Sequence, residues 1–241
     1  MTRPHRKKNH HDVSVVHQSG FAHADYDQWT AMLKRNAVID RHPTHVMLTT
    51  ESASHEARSA IADFCRKAGL DYYHPEGVGP GQCALMAREE ITREKVERLT
   101  DLTLKSARKA PINAVRGYVY DSYWDVWHSP AHNDRLSPGW PTKVYFSSMA
   151  GLEAMGGSTR AVFADWNAPL DAPHIQRELL LPGMKWAVGH HQHGTHGKHL
   201  IDGGQVSKNI EILHRSRTLR EIPGAPDFDH RGIQTVLRIW Y

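Results

Sequence analysis

The sequence predicts an α/β protein built as a sandwich of mixed β-sheets. Short apolar segments typical of strands alternate along the chain with amphipathic segments typical of helices. Their spacing is irregular and several strand pairs read as hairpins, which favours mixed sheets over a regular parallel barrel. With 241 residues and 39% hydrophobic content, the chain is long enough to bury one large core. No linker rich in Pro, Gly or Ser divides it, so residues 12–241 are predicted to form a single domain.

The composition limits the kinds of partner and compartment that fit the chain. A net charge of +4 and a pI near 9.1 permit a phosphate-bearing partner without requiring one. Two cysteines, Cys65 and Cys83, are too few for a disulfide framework. The basic start does not run into an apolar segment, and no apolar run approaches the roughly 20 residues that span a bilayer. We therefore expect a cytoplasmic protein without a membrane partner; its oligomeric state is open.

The N-terminal half is predicted to begin with a flexible basic arm over residues 1–11, which is either solvated or in contact with phosphates. Asp25 with Gln28 resembles a capping box that starts one helix, and Ser54 caps a second helix that ends at Gly69. The apolar stripe of the second helix consists of Ile61, Phe64, Cys65 and Ala68. Strands are predicted over 13–16, 45–50 and 82–87, and a charged helix over 92–109.

The C-terminal half continues with a strand over 115–120, which leads through an aromatic stretch to His128. A helix is predicted over 145–155 and a short one around Ile175 and Leu179. Further strands are predicted over 161–164, 198–201, 209–213 and 235–241.

Acids, an amide and histidines stand at the ends of five of these predicted strands. Asp165 and Asn167 are two residues apart on an extended segment, so they project to the same side. The other positions are Glu51, His128, Asp202 and the pair Asp229-His230. Each position alone fits a turn, since Asp and Asn are common turn residues. Together they fit one catalytic site, with carboxylates for a divalent cation, histidines for proton transfer and an amide for an oxyanion.

The order of these motifs resembles the endonuclease/exonuclease/phosphatase superfamily, the group of DNase I-like and exonuclease III-like enzymes. Its Gln-Glu is similar to Thr50-Glu51, its Gly-Asp-Phe-Asn to 164–167, its Ile-Asp to Ile201-Asp202, its His-Ser to His128-Ser129, and its Ser-Asp-His to 228–230. The resemblance covers residues 13–241. It implies a four-layer α/β sandwich with two mixed, mainly antiparallel sheets packed face to face.

The resemblance also implies roles for the carboxylates and the amide. Glu51 would be a ligand for Mg²⁺ or Mn²⁺, and Asp229 would support the metal region; magnesium typically takes only one or two protein carboxylates. Asp165 would orient or deprotonate the attacking water. Asn167 would donate a hydrogen bond to a phosphate oxygen.

The histidines would handle the proton and the phosphate charge. His230 would contact the phosphate or relay a proton, while Asp202 would hold its imidazole in one tautomer and stabilise the charged form. His128 is the candidate acid for the leaving oxygen.

The chain departs from the family pattern at the end of the first strand, where the family usually has an asparagine. That place falls at His17 or Gln18, both candidates for substrate contact, and only one of them can face the cleft. Counting back from Gly20 favours His17. Its protonation near the ordinary pKa of about 6.5 would then weaken cation binding at mildly acidic pH.

Residues 190–199 are unusually rich in histidine. Such tracts bind zinc or nickel in some proteins, but the glycines here and the lack of a nearby cysteine favour a solvated loop at the edge of the cleft.

These observations predict a metal-dependent phosphodiester hydrolase, a nuclease that acts on nucleic acid or another phosphoester with Mg²⁺ or Mn²⁺. Two alternatives stay open: a phosphatase for a small phosphoester, and a weakened domain that serves as a binding or structural component. Fold analogy does not choose among them, because the site and its loops set the substrate.

Overall fold

The computed structural model describes residues 9–20, 23–75, 83–94, 99–100, 111–128, 157, 159–188, 194–221 and 228–241. The helices are α1 (Tyr26–Ala37), α2 (His55–Ala68) and α3 (Pro173–Glu178). The strands are β1 (His10–Ser19), β2 (Val38–Ile39), β3 (His42–Pro43), β4 (Val46–Thr50), β5 (Asp71–Tyr73), β6 (Ala84–Ala87), β7 (Thr92–Glu94), β8 (Leu99–Thr100), β9 (Pro111–Val119), β10 (Ser122–His128), β11 (Arg160–Asp165), β12 (Met184–Trp186), β13 (Asp202–Ser207), β14 (Ile210–Thr218) and β15 (Ile233–Trp240).

Two large sheets form the centre of the molecule. The first has the order β14-β15-β1-β4-β6-β5, and the second has the order β12-β13-β11-β10-β9-β7, with β8 also paired to β9. The pairs β1–β4 and β10–β11 are parallel, while the other pairs within the two sheets are antiparallel. The predicted mixed, mainly antiparallel α/β sandwich is therefore confirmed.

The sheets pack face to face through one apolar core and are covered on their outer faces. Alternate residues of each strand, including Val13, Val15, Val126, Phe163 and Val206, fill the space between the sheets. Helices α1 and α2 cover the first sheet through a core that includes Trp29, Leu33 and Ile61. Trp127 and Val162 lie on the outer face of the second sheet. They pack there in another apolar core with Leu179, which follows α3. Burial on both sides explains the apolar runs in these strands.

The two predicted N-terminal helices are confirmed with their caps. Asp25 accepts from the Gln28 backbone amide, and the Gln28 side chain accepts from the Asp25 amide in return, which completes the capping box of α1. Ser54 caps α2, and Gly69 ends it in the left-handed conformation with φ of 63°. The short helix near Ile175 is present as α3. The helix predicted over 145–155 lies outside the described residues.

The charged helix predicted over 92–109 is wrong for the part that the structure describes. Thr92–Glu94 pair with β9 as edge strand β7, and Leu99–Thr100 pair with β9 as β8; residues 95–98 and 101–110 are not described. Arg93 and Glu94 are exposed. Charged residues protect an exposed sheet edge from pairing with another chain, so this charge run belongs to an edge strand and not to a helix face.

Two strands differ from the prediction. The segment predicted as a strand over 198–201 precedes the real strand β13, which begins at Asp202 and includes Gly203 and Gly204. The absence of a side chain at these glycines leaves room for neighbouring side chains, since a Cβ at Gly204 would lie 2.5 Å from the Phe163 ring. The aromatic stretch before His128 is strand β10, joined to β9 by Tyr120 and Asp121 with φ of 52° and 53°.

Three further features concern the start of β1, the two cysteines and the character of the helices. Strand β1 begins at His10, inside the arm predicted over 1–11, because His10 and His11 pair with the end of β15; residues 1–8 are not described. Cys65 and Cys83 are buried free thiols. Among the described residues, no helix has the length and apolar character needed to cross a membrane.

Candidate active site

Three neighbouring strands of the second sheet bring their polar ends into one row. In the register, His128 of β10 pairs with Asp165 of β11, and Asp165 pairs with Asp202 of β13. Their side chains share the parity of Val126 and Phe163, so they face the first sheet. All three are buried. The predicted convergence of these strand ends is therefore present, at one end of the space between the sheets.

Asp165 lies at the centre of this row. Its Oδ1 accepts from the Asn167 backbone amide at 2.9 Å, and its Oδ2 accepts from the Ser19 hydroxyl at 3.4 Å. Asn167 has a φ of 47°, which turns the chain back over the carboxylate. Burial and the negative charge of Asp202 raise the pKa of Asp165, against the opposing pull of His128 and His230. The site therefore holds a carboxylate of increased basicity.

Asp202 and His230 form a buried ion pair beside it. His230 Nδ1 donates to Asp202 Oδ2 at 2.8 Å, and Thr195 Oγ1 accepts from the Asp202 amide at 3.1 Å. Burial disfavours the imidazolium, but the charge of Asp202 and this hydrogen bond outweigh it and raise the pKa of His230 to about 10. The pKa of Asp202 is lowered, because His230 outweighs the effect of burial. Because this hydrogen bond uses Nδ1, Nε2 of His230 is available to another partner.

Glu51 and His128 close the site from the side of β4. Glu51 directly follows β4, has a φ of 55° and is half-buried. His128 Nε2 lies 3.2 Å from Glu51 Oε1 and 3.7 Å from Asp165 Oδ2. Burial opposes protonation of His128, but the hydrogen bond to Glu51 and the charge of Asp165 raise its pKa. The two carboxylates thus favour the protonated form of the imidazole between them.

The donor atoms of this cluster fit a divalent cation. Ligand atoms of Glu51, His128 and Asp165 all lie within 4.8 Å of one another, and so do those of Asp165, Asp202 and His230. Carboxylate oxygens from Glu51 and Asp165 are the donors that Mg²⁺ and Mn²⁺ prefer. The neutral imidazole of His128 could supply a third ligand to the same ion.

The structure places His17, and not Gln18, at the site. His17 is fully buried, with Nδ1 3.8 Å from Asp202 Oδ1, and burial lowers its pKa to about 4. Gln18 points to the opposite face, where it donates to the His230 carbonyl at 2.5 Å and accepts from Arg35 at 2.8 Å. Gln18 therefore does not reach the substrate side. Burial also opposes the predicted effect of His17 at mildly acidic pH, because a pKa of about 4 favours the neutral imidazole there.

Asp229 lies apart from Glu51. Its carboxylate is half exposed, with Oδ2 3.7 Å from His196 Nε2, and it groups with His196 and His230. Of the histidine-rich loop, His190, His191 and His193 lie outside the described residues, while His196 and His199 are exposed. The structure thus brings one histidine of the loop to the rim of the site.

Two hydroxyl residues of the site were missed in the sequence. Ser19 is two residues beyond His17 on β1 and so shares its face; its hydroxyl lies 2.5 Å from that of Thr50. The sequence could have identified Ser19, because residues two apart on a strand lie on the same face. Thr195 accepts from the amides of Ile201 and Asp202 and so fixes the start of β13. It belongs to no pattern in the sequence, because the contact joins a loop to a strand.

No protein-family model and no curated protein matches the sequence of this chain. Solved structures do share its fold. An endonuclease/exonuclease/phosphatase family protein from Bacteroides thetaiotaomicron is 12% identical with a TM-score of 0.67, over 96% of this chain and 99% of that one. TDP2 from D. rerio, complexed with single strand DNA product, is 10% identical with a TM-score of 0.68, over 94% and 98%. The human Nocturnin catalytic domain, with bound sulfate, is 14% identical with a TM-score of 0.63, over 98% of each chain. The likeness shows that the chain has the endonuclease/exonuclease/phosphatase fold.

Proposed function

We propose that this protein of endonuclease/exonuclease/phosphatase fold is a metal-dependent phosphodiester hydrolase, and specifically a nuclease that uses Mg²⁺ or Mn²⁺. The observation that carries the proposal is the row of His128, Asp165 and Asp202 across three strands, completed by Glu51 and His230. It combines a basic carboxylate, two imidazoles and a candidate cation site within a few ångströms. Proton transfer, phosphate contact and charge neutralisation in phosphodiester hydrolysis can be assigned to these groups.

Asp165 is the proposed base for the attacking water. Its raised pKa makes the carboxylate a stronger proton acceptor than an exposed aspartate. The Asn167 amide and the Ser19 hydroxyl fix its two oxygens, so its orientation is set before substrate binds. A positioned base of this kind contributes about 10²–10⁴-fold to a rate.

The proposed phosphate contacts are His230 and the Asn167 carboxamide. His230 carries a positive charge at neutral pH because Asp202 raises its pKa to about 10. A fixed cation at this place stabilises the negative charge that gathers on the phosphate oxygens. Asp202 acts through His230 by accepting a hydrogen bond from its Nδ1. On its other oxygen, Asp202 has His17 Nδ1 at 3.8 Å.

His128 is the proposed acid for the leaving oxygen. The hydrogen bond to Glu51 and the charge of Asp165 raise its pKa against the effect of burial, which favours the protonated form that an acid requires. Glu51 is the proposed ligand of the divalent cation, with Asp165 as the second carboxylate of the same group. When bound, the cation supplies charge neutralisation at the phosphate. Asp229, which groups with His196 and His230, is not part of this proposal for the cation.

Nucleic acid is the proposed substrate. Support comes from the neighbour TDP2, whose structure is a complex with single strand DNA product, and from Nocturnin, which binds sulfate, an anion shaped like phosphate. The net charge of +4 and the basic residues within 1–11 favour a polyanion.

The test is a hydrolysis assay on plasmid DNA, single-stranded DNA, RNA and bis-nitrophenyl phosphate, each with Mg²⁺, Mn²⁺ or chelator. Cleavage of a nucleic acid that depends on the cation supports the proposal. Cleavage confined to bis-nitrophenyl phosphate would favour an enzyme for a small phosphoester, and no cleavage of any of the four substrates would favour a binding domain. Asp165→Asn, which keeps the shape of the site, controls for a contaminating nuclease.

A further inference from the structure

A second group of metal-binding side chains lies on the exposed rim of the site. It consists of His196, Asp229 and His230, whose ligand atoms all lie within 4.8 Å of one another. His196 Nε2 is 3.7 Å from Asp229 Oδ2, and the rings of His196 and His230 are 4.9 Å apart. His196 and Asp229 are about half exposed, so both side chains can adjust to a ligand.

The backbone holds these residues in register. His196 and His230 form an antiparallel bridge, and the Arg231 amide donates to the Thr195 carbonyl at 2.7 Å. His196 and His199 exchange two backbone hydrogen bonds of 3.0 Å, which closes a tight turn. The two imidazoles therefore meet because their main chains are paired, and not by a chance contact of long side chains.

The hydrogen bonds of His230 leave the correct nitrogen for a metal. Asp202 accepts from Nδ1 at 2.8 Å, which leaves Nε2 as the nitrogen that a metal ion can use. A histidine whose other nitrogen is held by a carboxylate is the usual arrangement at zinc sites, where the carboxylate orients the ring and strengthens it as a ligand. Asp202 is itself buried and fixed by Thr195, so this support is rigid.

The donor set distinguishes the cation. Two imidazoles and one carboxylate are typical of Zn²⁺ sites that keep one open position, whereas Mg²⁺ prefers oxygen ligands only. Donor atoms in a tetrahedral zinc site lie about 3.4 Å apart, given Zn–N bonds of ~2.0–2.1 Å. The His196 Nε2–Asp229 Oδ2 distance of 3.7 Å is already close to that spacing, and both side chains are exposed enough to move.

We propose that His196, Asp229 and His230 form a binding site for Zn²⁺ or a similar transition metal ion, and that ion binding there inhibits the hydrolase. On binding, Nε2 of His230 releases its proton to solvent and donates its lone pair to the ion, so the imidazolium no longer contacts the phosphate. The inhibition rests on the proposed function, but the metal site does not.

The experiment measures Zn²⁺ affinity of the untagged full chain by competition with a chromophoric chelator. His196→Asn should weaken the tightest site at least about 10-fold, since even loss of an outer-shell partner costs 10–100-fold. The matched control is His199→Asn, which removes an exposed histidine of the same turn and should leave the affinity unchanged. Asp229→Asn should weaken binding as His196→Asn does. Thermal melting with Zn²⁺ should show stabilisation of the wild type that His196→Asn lacks.

Equal affinity in His196→Asn and His199→Asn would overturn the site, because binding would then belong to the histidine-rich loop as a whole. The proposed site is also overturned if the wild type binds no Zn²⁺ below millimolar concentration. Inhibition of Mg²⁺-dependent hydrolysis by Zn²⁺ should be relieved in His196→Asn and retained in His199→Asn. A protein that binds Zn²⁺ as expected but hydrolyses nothing would contradict the proposed function and leave the metal site supported.

Discussion

Replacing Asp202 by Asn separates the charge of the Asp202–His230 pair from its geometry. The carboxamide keeps the size of the side chain and an oxygen that can accept from His230 Nδ1. In the wild type, burial opposes the imidazolium but Asp202 outweighs it, which puts the pKa of His230 at about 10. Without the carboxylate, burial decides, and we expect this pKa to fall to 6.5 or below.

The size of the effect follows from this shift. A pKa raised from 6.5 to about 10 corresponds to roughly 5 kcal/mol in favour of the imidazolium, at about 1.36 kcal/mol per pH unit. This figure already includes the cost of burying the imidazolium, whereas the cost of burying the Asp202 carboxylate offsets part of it. Breaking a buried pair costs about 3–5 kcal/mol in other proteins. We therefore expect Asp202→Asn to lower the free energy of unfolding by about 3 kcal/mol at pH ~6.

The pH dependence of this loss has a definite sign. The folded-state pKa of His230 is raised, so the stabilisation by the pair is fully present below pH 6.5 and is lost as the pH rises through about 10. The difference between wild type and Asp202→Asn should therefore shrink as the pH is raised. Turnover should fall about 10²-fold at neutral pH and recover partly as the pH drops and His230 of the variant becomes protonated.

Urea denaturation at several pH values and NMR titration of the His230 ring measure both quantities. Asp171→Asn, at an exposed carboxylate of the loop after β11, is the matched control and should change neither. The reasoning is refuted if the stability difference does not vary with pH, or if His230 of the variant still titrates near 10.

Three further outcomes are expected. Chelation should abolish hydrolysis, and Glu51→Gln should raise the Mg²⁺ concentration for half-maximal rate; full activity in chelator would contradict the cation site. Asp165→Asn should lower turnover at least about 10²-fold, yet keep or raise the melting temperature, because burial and Asp202 already disfavour its ionised form; a large fall in melting temperature would contradict this. His17→Asn should leave the shape of the pH–rate profile unchanged from about pH 5 to 8, since burial lowers the pKa of His17 to about 4; a shifted acidic limb would show that His17 titrates there.

Much of the site was predictable because its residues mark the ends of strands. Asp165, Asp202 and His128 follow or begin apolar segments, and the strand period fixed which side of each strand they occupy. Those predictions needed only local pattern and chain order. The choice between His17 and Gln18 was also made correctly by counting, since the two point to opposite faces of β1.

Other predictions failed where the same local pattern fits two structures. The charged segment 92–94 fits a solvated helix but pairs with β9 at the sheet edge. The strand predicted over 198–201 lies instead at 202–207, as β13. The pH effect assigned to His17 started from the ordinary pKa of an imidazole. The sequence could not show that burial lowers this pKa, because burial depends on the packing of the two sheets.

By itself, the sequence determined the class of fold, the helix caps and the strand-end positions of the polar residues, because these depend on neighbours only a few residues away. The tertiary structure alone decided the electrostatics. His230 and Asp202 are 28 residues apart, and His128 and Glu51 are 77 apart, yet each pair shares a hydrogen bond in the interior. Whether these groups are charged depends on burial and on distances across the junction of the sheets, which strand order creates and no local pattern encodes.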